Sequence, residues 1–249
     1  MNSLNAFDNM RKMVKRHSGN VSILEDEIDL QLQMQYFKES KVAKKDLKKN
    51  VVLKDKGLLF SDELGLEQKR VLLTQLASVN KVEALRAIEE YNKQPDESLE
   101  EWGKLAFQES KMLIESSLLD VPPLFISTGL GGKGNKLRYF IVVRAREGGY
   151  FSEVQENLVR SEFVFAFKKY NAELESIEFY GHLATITGLI PLEAGLKDLF
   201  TMIVKNCNEL GNFLDSSFMV SNVKKLRLDE IEKAIEVERQ EMKDDKVNP

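Results

Sequence analysis

This 249-residue chain has one cysteine, Cys207, and two histidines, His17 and His182. A single thiol forms no internal disulfide framework and supplies no cysteine cluster for zinc. Two histidines leave little for imidazole chemistry. Long apolar runs are also missing: no segment approaches the roughly 20 apolar residues a membrane span needs. The opening MNSLNAFDNMRKMVKRHSGN holds no apolar stretch of secretory length, so a cytoplasmic setting is expected and an integral-membrane role is not. With 43% apolar and 31% charged residues, the composition is that of a globular protein.

The net charge of −4 conceals a gradient. Residues 1–57 carry 12 Lys/Arg against 8 Asp/Glu, residues 58–120 carry 7 against 13, and the remainder 17 against 19. The basic excess is concentrated in KESKVAKKDLKKNVVLKDK, residues 38–56. That is enough for a modest anionic partner and too little for a strongly basic nucleic-acid binder.

Residues 3–16 place Leu4, Phe7, Met10, Met13 and Val14 at helical spacing beside Arg11, Lys12, Lys15 and Arg16. This basic amphipathic piece suits a terminal helix laid on its own domain, or one docked on a membrane surface or partner groove. Residues 28–36 alternate apolar and polar as a half-buried strand would. Ser22 and Glu25, however, have capping-box spacing, and Leu24, Ile28, Leu32, Tyr36, Ala43 and Leu47 lie near one helical stripe, which favours a long helix running to the lysines. Residues 51–60 read as a small hairpin or a hydrophobic linker.

Three helices follow. Leu66, Leu72, Leu73 and Leu76 form the first stripe, and Val82, Leu85, Ile88 and Tyr91 the second. Leu99, Trp102, Leu105, Ala106, Met112 and Leu113 form the third, after Pro95 and with Asp96, Glu97, Glu100 and Glu101 at the positive end of the helix dipole. The hairpin KVEALRAIEEYNKQPDESLEEWGKLAFQESKMLIES resembles one unit of a HEAT-type helical repeat over about 35 residues. No second copy recurs at a fixed period, so a solenoid is not expected.

Val121-Pro122-Pro123 ends the helical texture, because two prolines forbid its continuation. Beyond it, strands are expected at 124–127, 137–145, 177–180, 184–190 and 218–223. Ser152 and Gln155 offer a capping box for a helix through Tyr170 with Val154, Leu158, Phe163, Ala166 and Phe167 inward. Leu196, Leu199, Phe200, Ile203, Val204 and Cys207 mark another helix, and a charged helix begins at Asp229. The fold class is therefore α+β: a helical segment, then an antiparallel sheet of four to five strands with helices packed on one face, in ββα-ββα-βα order. The divisions are a basic, helical, extended segment over 1–60, a helical hairpin region over 61–120, a sheet domain over 121–240 and a solvated tail over 241–249.

Chemistry-bearing patterns are few. Gly129 to Lys136, within STGLGGKGNK, brings glycines and lysines together, as an anion cradle does. Yet Lys133 is followed by Gly134, unlike a P-loop, and a strand follows where a dinucleotide site needs a helix. A hairpin tip is the simpler identity. His182 stands in a turn near Tyr180, Glu178 and Thr185; as a base it needs an acid and a nucleophile placed beside it. Glu100, Glu101, Glu109, Glu115 and Asp120 read as a solvated acidic face, and Cys207 as a core thiol. Arg138, Arg144 and Arg146 alternate, and so share one sheet face as a basic platform or a solvated one.

No catalytic residue, cofactor or metal is expected from these patterns. The function they favour is a non-enzymatic adaptor or accessory subunit bound to a protein partner. Its binding candidates are Lys44, Lys45, Lys48, Lys49, Lys133, Lys136 and Arg138. The alternatives are an RNA- or ribosome-associated factor using Lys41 to Lys56 with the Gly129–Lys136 loop, and a small-ligand binder or enzyme at that loop.

Overall fold

The computed structural model describes residues 21–45, 47–119, 124–146 and 149–247. The amphipathic piece expected over 3–16, His17, Asp120 and the double proline lie outside them.

The chain is α+β: a helical region, then a curled five-strand antiparallel sheet with helices packed on it. After a short strand β1 (Val21–Ile23), helix α1 spans Leu30–Ala43. Its cap is Asp29, whose side chain accepts from the amides of Gln31 and Leu32 at 2.8 and 3.2 Å. Ser22 does not cap it; that residue belongs to β1. Helix defeats the strand alternation because residues 30–41 are mostly unbranched helix formers. The buried positions Gln33, Tyr36 and Ser40 follow the helical period, while Met34 is 66% exposed. The lysine-rich stretch is not a continuation of α1. Residues 51–60 likewise form no hairpin, since the chain turns into α2 (Lys49–Asp55) and a 3-10 turn (Lys56–Phe60) that insert Val52 and Leu59 into the helical core.

Helices α3 (Leu66–Ala77), α4 (Val82–Tyr91) and α5 (Glu100–Leu119) complete this region around Leu73, Leu76, Ile88, Trp102 and Leu105. Leu66 and Val82, expected on the inward stripes, are exposed at the first turns of their helices, outside the three-helix contact.

In the sheet region, β2 (Leu124–Ile126) departs from the expected hairpin with 137–145. It pairs in parallel with β1, Ser22 opposite Phe125. A turn in which the Gly131 amide donates to Thr128 O reverses the chain before an antiparallel ladder can form. The hairpin partner is instead β3 (Gly132–Lys133), joined to β4 (Lys136–Ala145) through Gly134 at φ +60°. Helix α6 (Glu153–Lys169) starts on the expected Ser152–Gln155 box. Val154, in its first turn, is exposed and not inward. Strands β5 (Glu173–Tyr180) and β6 (Leu183–Pro191), helix α7 (Leu196–Glu209), β7 (Leu214–Ser221) and α8 (Leu228–Val247) follow, so one helix continues through residues expected as a tail.

Central β4 pairs along its length with β6, and on its other edge with β3 and then β7. Leu137, Tyr139, Ile141 and Val143 point to the core under α6 and α7. Phe140 and Val142 point to the opposite face, where Ile231 and Ile235 of α8 cover them. Burial on both faces explains why β4 and β6 read as nearly unbroken apolar runs. The two regions are joined at β1–β2, where Gln33 Nε2 also donates to Thr128 O at 3.1 Å and Gln108 Nε2 to Ser22 Oγ at 2.8 Å.

Candidate interaction surface

The glycine-rich loop uses its glycines for close backbone packing. A Cβ at Gly129 would collide with the Val223 carbonyl, at Gly131 with the Glu25 carbonyl, and at Gly132 with the Lys136 carbonyl. Its amides are already committed: Leu130 N donates to Asn222 O (3.1 Å), Gly132 N to Glu25 O (3.2 Å) and Gly134 N to Glu25 Oε1 (3.1 Å). No helix begins at Lys133.

Of the loop's cations, Lys133 is exposed. Lys136 lies 2.7 Å from Glu173, and Arg138 forms a two-point pair with Glu175 at 2.7 and 2.9 Å. The hydrogen bond from Lys136 holds the Glu173 carboxyl below its usual range, and that with Glu175 raises Arg138. The alternating arginines do not form an open platform. Arg144 is buried, with Asp215 at 2.9 Å, Ser217 Oγ at 2.8 Å and Glu238 at 3.2 Å. Arg146 donates to Leu214 O at 3.1 Å.

His182 and Glu178 are separated by the turn at Gly181, φ +63°. His182 Nε2 lies 3.1 Å from Glu232 on α8, with the Tyr150 ring edge-on, while Glu178 accepts from Tyr180. Cys207 is buried, and that burial, with Glu162 nearby, pushes its thiol up to about 12.

The acidic face of α5 is not all solvated. Glu109 accepts from Tyr36 Oη (2.6 Å) and Ser40 Oγ (2.5 Å) and pairs with Lys44 (2.6 Å), knotting α1 to α5. Burial, then the Glu109 charge, raises Tyr36 well above an ordinary phenol. Among the described residues no group of three or more His, Cys, Asp or Glu is placed to hold a metal ion, and no helix is long and apolar enough to cross a membrane.

An open groove of about 570 Å³ runs between α1 and α3. Val42, Ala43 and Val71 give it an apolar lining, with Gln35, Lys38, Glu39, Thr74 and Gln75 beside them. Val42 is 61% and Val71 50% exposed. Beneath lies Trp102, whose Nε1 donates to Thr74 Oγ1 at 3.0 Å and whose ring carries the Arg70 guanidinium at 4.0 Å. Arg70 pairs with Glu39 and so fixes that rim.

Lys38, Lys41 and Lys45 are exposed along and just beyond the α1 side, with no ion-pair partner among the described residues. Of the residues expected to bind, Lys45 is exposed in the turn two residues beyond Ala43 of the lining, whereas Lys44 pairs with Glu109. Lys48 is exposed before α2, and the side chain of Lys49 lies outside the described residues. Among the described residues none of those expected to bind lines the groove, and the loop set Lys133, Lys136 and Arg138 belongs to the sheet. Sequence reading missed Val42 and Val71. The available signal was their position off the apolar stripes of helices whose other branched or leucyl residues fall on them.

The architecture defines a helical region followed by a curled antiparallel sheet. No protein-family model matches the sequence, and no curated protein matches it.

Proposed function

We propose that the protein is a non-enzymatic adaptor or accessory subunit, acting in the cytoplasm, that takes an acidic amphipathic helix of a protein partner into the α1–α3 groove. The observation that carries this reading is the juxtaposition of half-exposed Val42 and Val71 with Lys38 in the groove lining, and with Lys41 and Lys45 exposed on the same stretch of chain, none of the three having an ion-pair partner among the described residues. Two helix walls with Val42, Ala43 and Val71 between them offer an apolar strip to a third helix, the helix-in-groove mode of recognition. The lysines select the sign of the flanking charge and steer encounter. An RNA-associated role has weaker support, because Glu109, Glu173 and Glu175 pair with Lys44, Lys136 and Arg138.

The test uses two synthetic amphipathic helices with the same leucine stripe, one flanked by glutamate and one by lysine. Trp102 is the only tryptophan, and its Thr74 partner lines the groove, so its fluorescence reports occupancy. The acidic helix should bind, weaken with salt, and lose at least tenfold in affinity on Val42→Asp. Equal binding of both helices, or none, would overturn the reading.

A further inference from the structure

Among the described residues the sheet ends on β5 at one side and on short β3 and longer β7 at the other, and the two long outer strands are treated differently. Strand β5 carries Glu173, Glu175 and Glu178 exposed along its length. Charged residues on an edge discourage pairing with another chain. Strand β7 is less guarded: its one charged residue, Asp215, is paired with Arg144, and from Ser216 to Val223 there is none. Its only strand partner among the described residues is β4.

The direction of its free backbone groups follows from β4. Arg138 N donates to Gly131 O on the β3 side, and Ala145 N to His182 O on the β6 side. Even-numbered residues of β4 therefore address the edge shared by β3 and β7. Met219 is opposite Val142, so its amide and carbonyl turn toward β4. Those of Phe218 and Val220 turn outward.

The sequence of this edge is its own complement. Ser217-Phe218-Met219-Val220-Ser221 is symmetric in character about Met219. Placing a two-fold axis at Met219 sets Phe218 opposite Val220 and Ser217 opposite Ser221 in an antiparallel partner. The outward groups of Phe218 and Val220 then form two hydrogen-bonded pairs, with the two Met219 residues as the non-hydrogen-bonded pair between them. Phe218 and Val220 already pack on the core under α7, Phe218 with its ring centroid 5.5 Å from that of Phe200. Pairing therefore extends an ordered surface. We infer that β7 is the interface for a second copy of this chain, joined edge to edge through an antiparallel β7–β7 ladder centred on Met219. The contact is isologous, as a closed two-fold dimer requires, and is independent of the α1–α3 groove.

Light scattering on the full chain across a concentration series tests the association, and cysteine cross-linking tests the register. In the non-hydrogen-bonded pair the Met219 Cα atoms lie about 4.5 Å apart, within the span a disulfide bridges. Met219→Cys should yield a covalent dimer on mild oxidation. Ser216→Cys, opposite residue 222 of the other copy, should not. Val220→Pro removes an outward amide without touching the β4 ladder and should leave a monomer.

A monomer at every concentration overturns the inference. So does equal cross-linking at 216 and 219, or a dimer that Val220→Pro leaves intact and Met219→Cys does not trap. Should Val220→Pro fail to fold, the cross-linking pair alone decides.

Discussion

Lys69 and Asp96 meet across the helical core: Nζ lies 3.1 Å from Oδ2, and the lysine, 8% exposed, is nearly sealed from solvent. Tyr91 Oη donates to the same oxygen at 2.7 Å, so one carboxylate ties α3, the end of α4 and the turn into α5. The Tyr91 hydrogen bond, ahead of that from Lys69, holds Asp96 below its ordinary range despite the opposing effect of burial. A carboxyl depressed by folding contributes stability that is complete above its unfolded value and is lost as pH falls through the folded one. Thermal melts should thus soften on acidification below about pH 4. Asp96→Asn should flatten part of that acid slope while lowering stability at neutral pH, because it strands a buried ammonium. An unchanged pH profile would show that the knot carries no linkage.

Thr74 and Trp102 form a second buried contact, Nε1 to Oγ1 at 3.0 Å. Thr74→Val leaves the indole donor without its acceptor and should cost about 1–3 kcal/mol, measured by denaturant midpoint. The tryptophan emission should change in the same variant, since the altered group is its hydrogen-bond partner.

Gly188 sits in β6 where a Cβ would press on the Phe167 ring and the Glu173 carbonyl. Gly188→Ala should therefore destabilise by about 1–3 kcal/mol through overpacking, whereas Gly57→Ala, with nothing within 4 Å of the added carbon, should not. Comparing the two melts separates packing from a general intolerance of glycine replacement.

Glu109 receives Tyr36, Ser40 and Lys44 together. Glu109→Ala should loosen α1 from α5 and raise amide exchange in residues 36–44 more than in α7, read by hydrogen exchange. Uniform acceleration across the chain would instead indicate global destabilisation.

What the sequence disclosed was largely local. The Ser152–Gln155 box, the six-residue stripe of α7 and the turn at Gly181 each depend on residues a few positions apart, and each formed as expected. The pairing of β1 with β2 joins Val21 to Leu124, across about a hundred residues, and no periodicity announces such a contact. Alternation over 28–36 was ambiguous because Met34 is apolar yet exposed, so composition alone overstated the strand pattern. The site was less legible than the fold. Lys136 and Arg138 looked like free cations, but β5 brings Glu173 and Glu175 alongside them. The groove arises where Val42 and Val71 face each other from helices separated in sequence by α2.

Amide chemical-shift mapping with the glutamate-flanked amphipathic helix addresses the central claim most directly. Shifts should concentrate in residues 35–45 and 70–76 and diminish with added salt. Shifts confined to the sheet, or a response unaltered by Val42→Asp with Val71→Asp, would contradict the α1–α3 groove as the partner's seat.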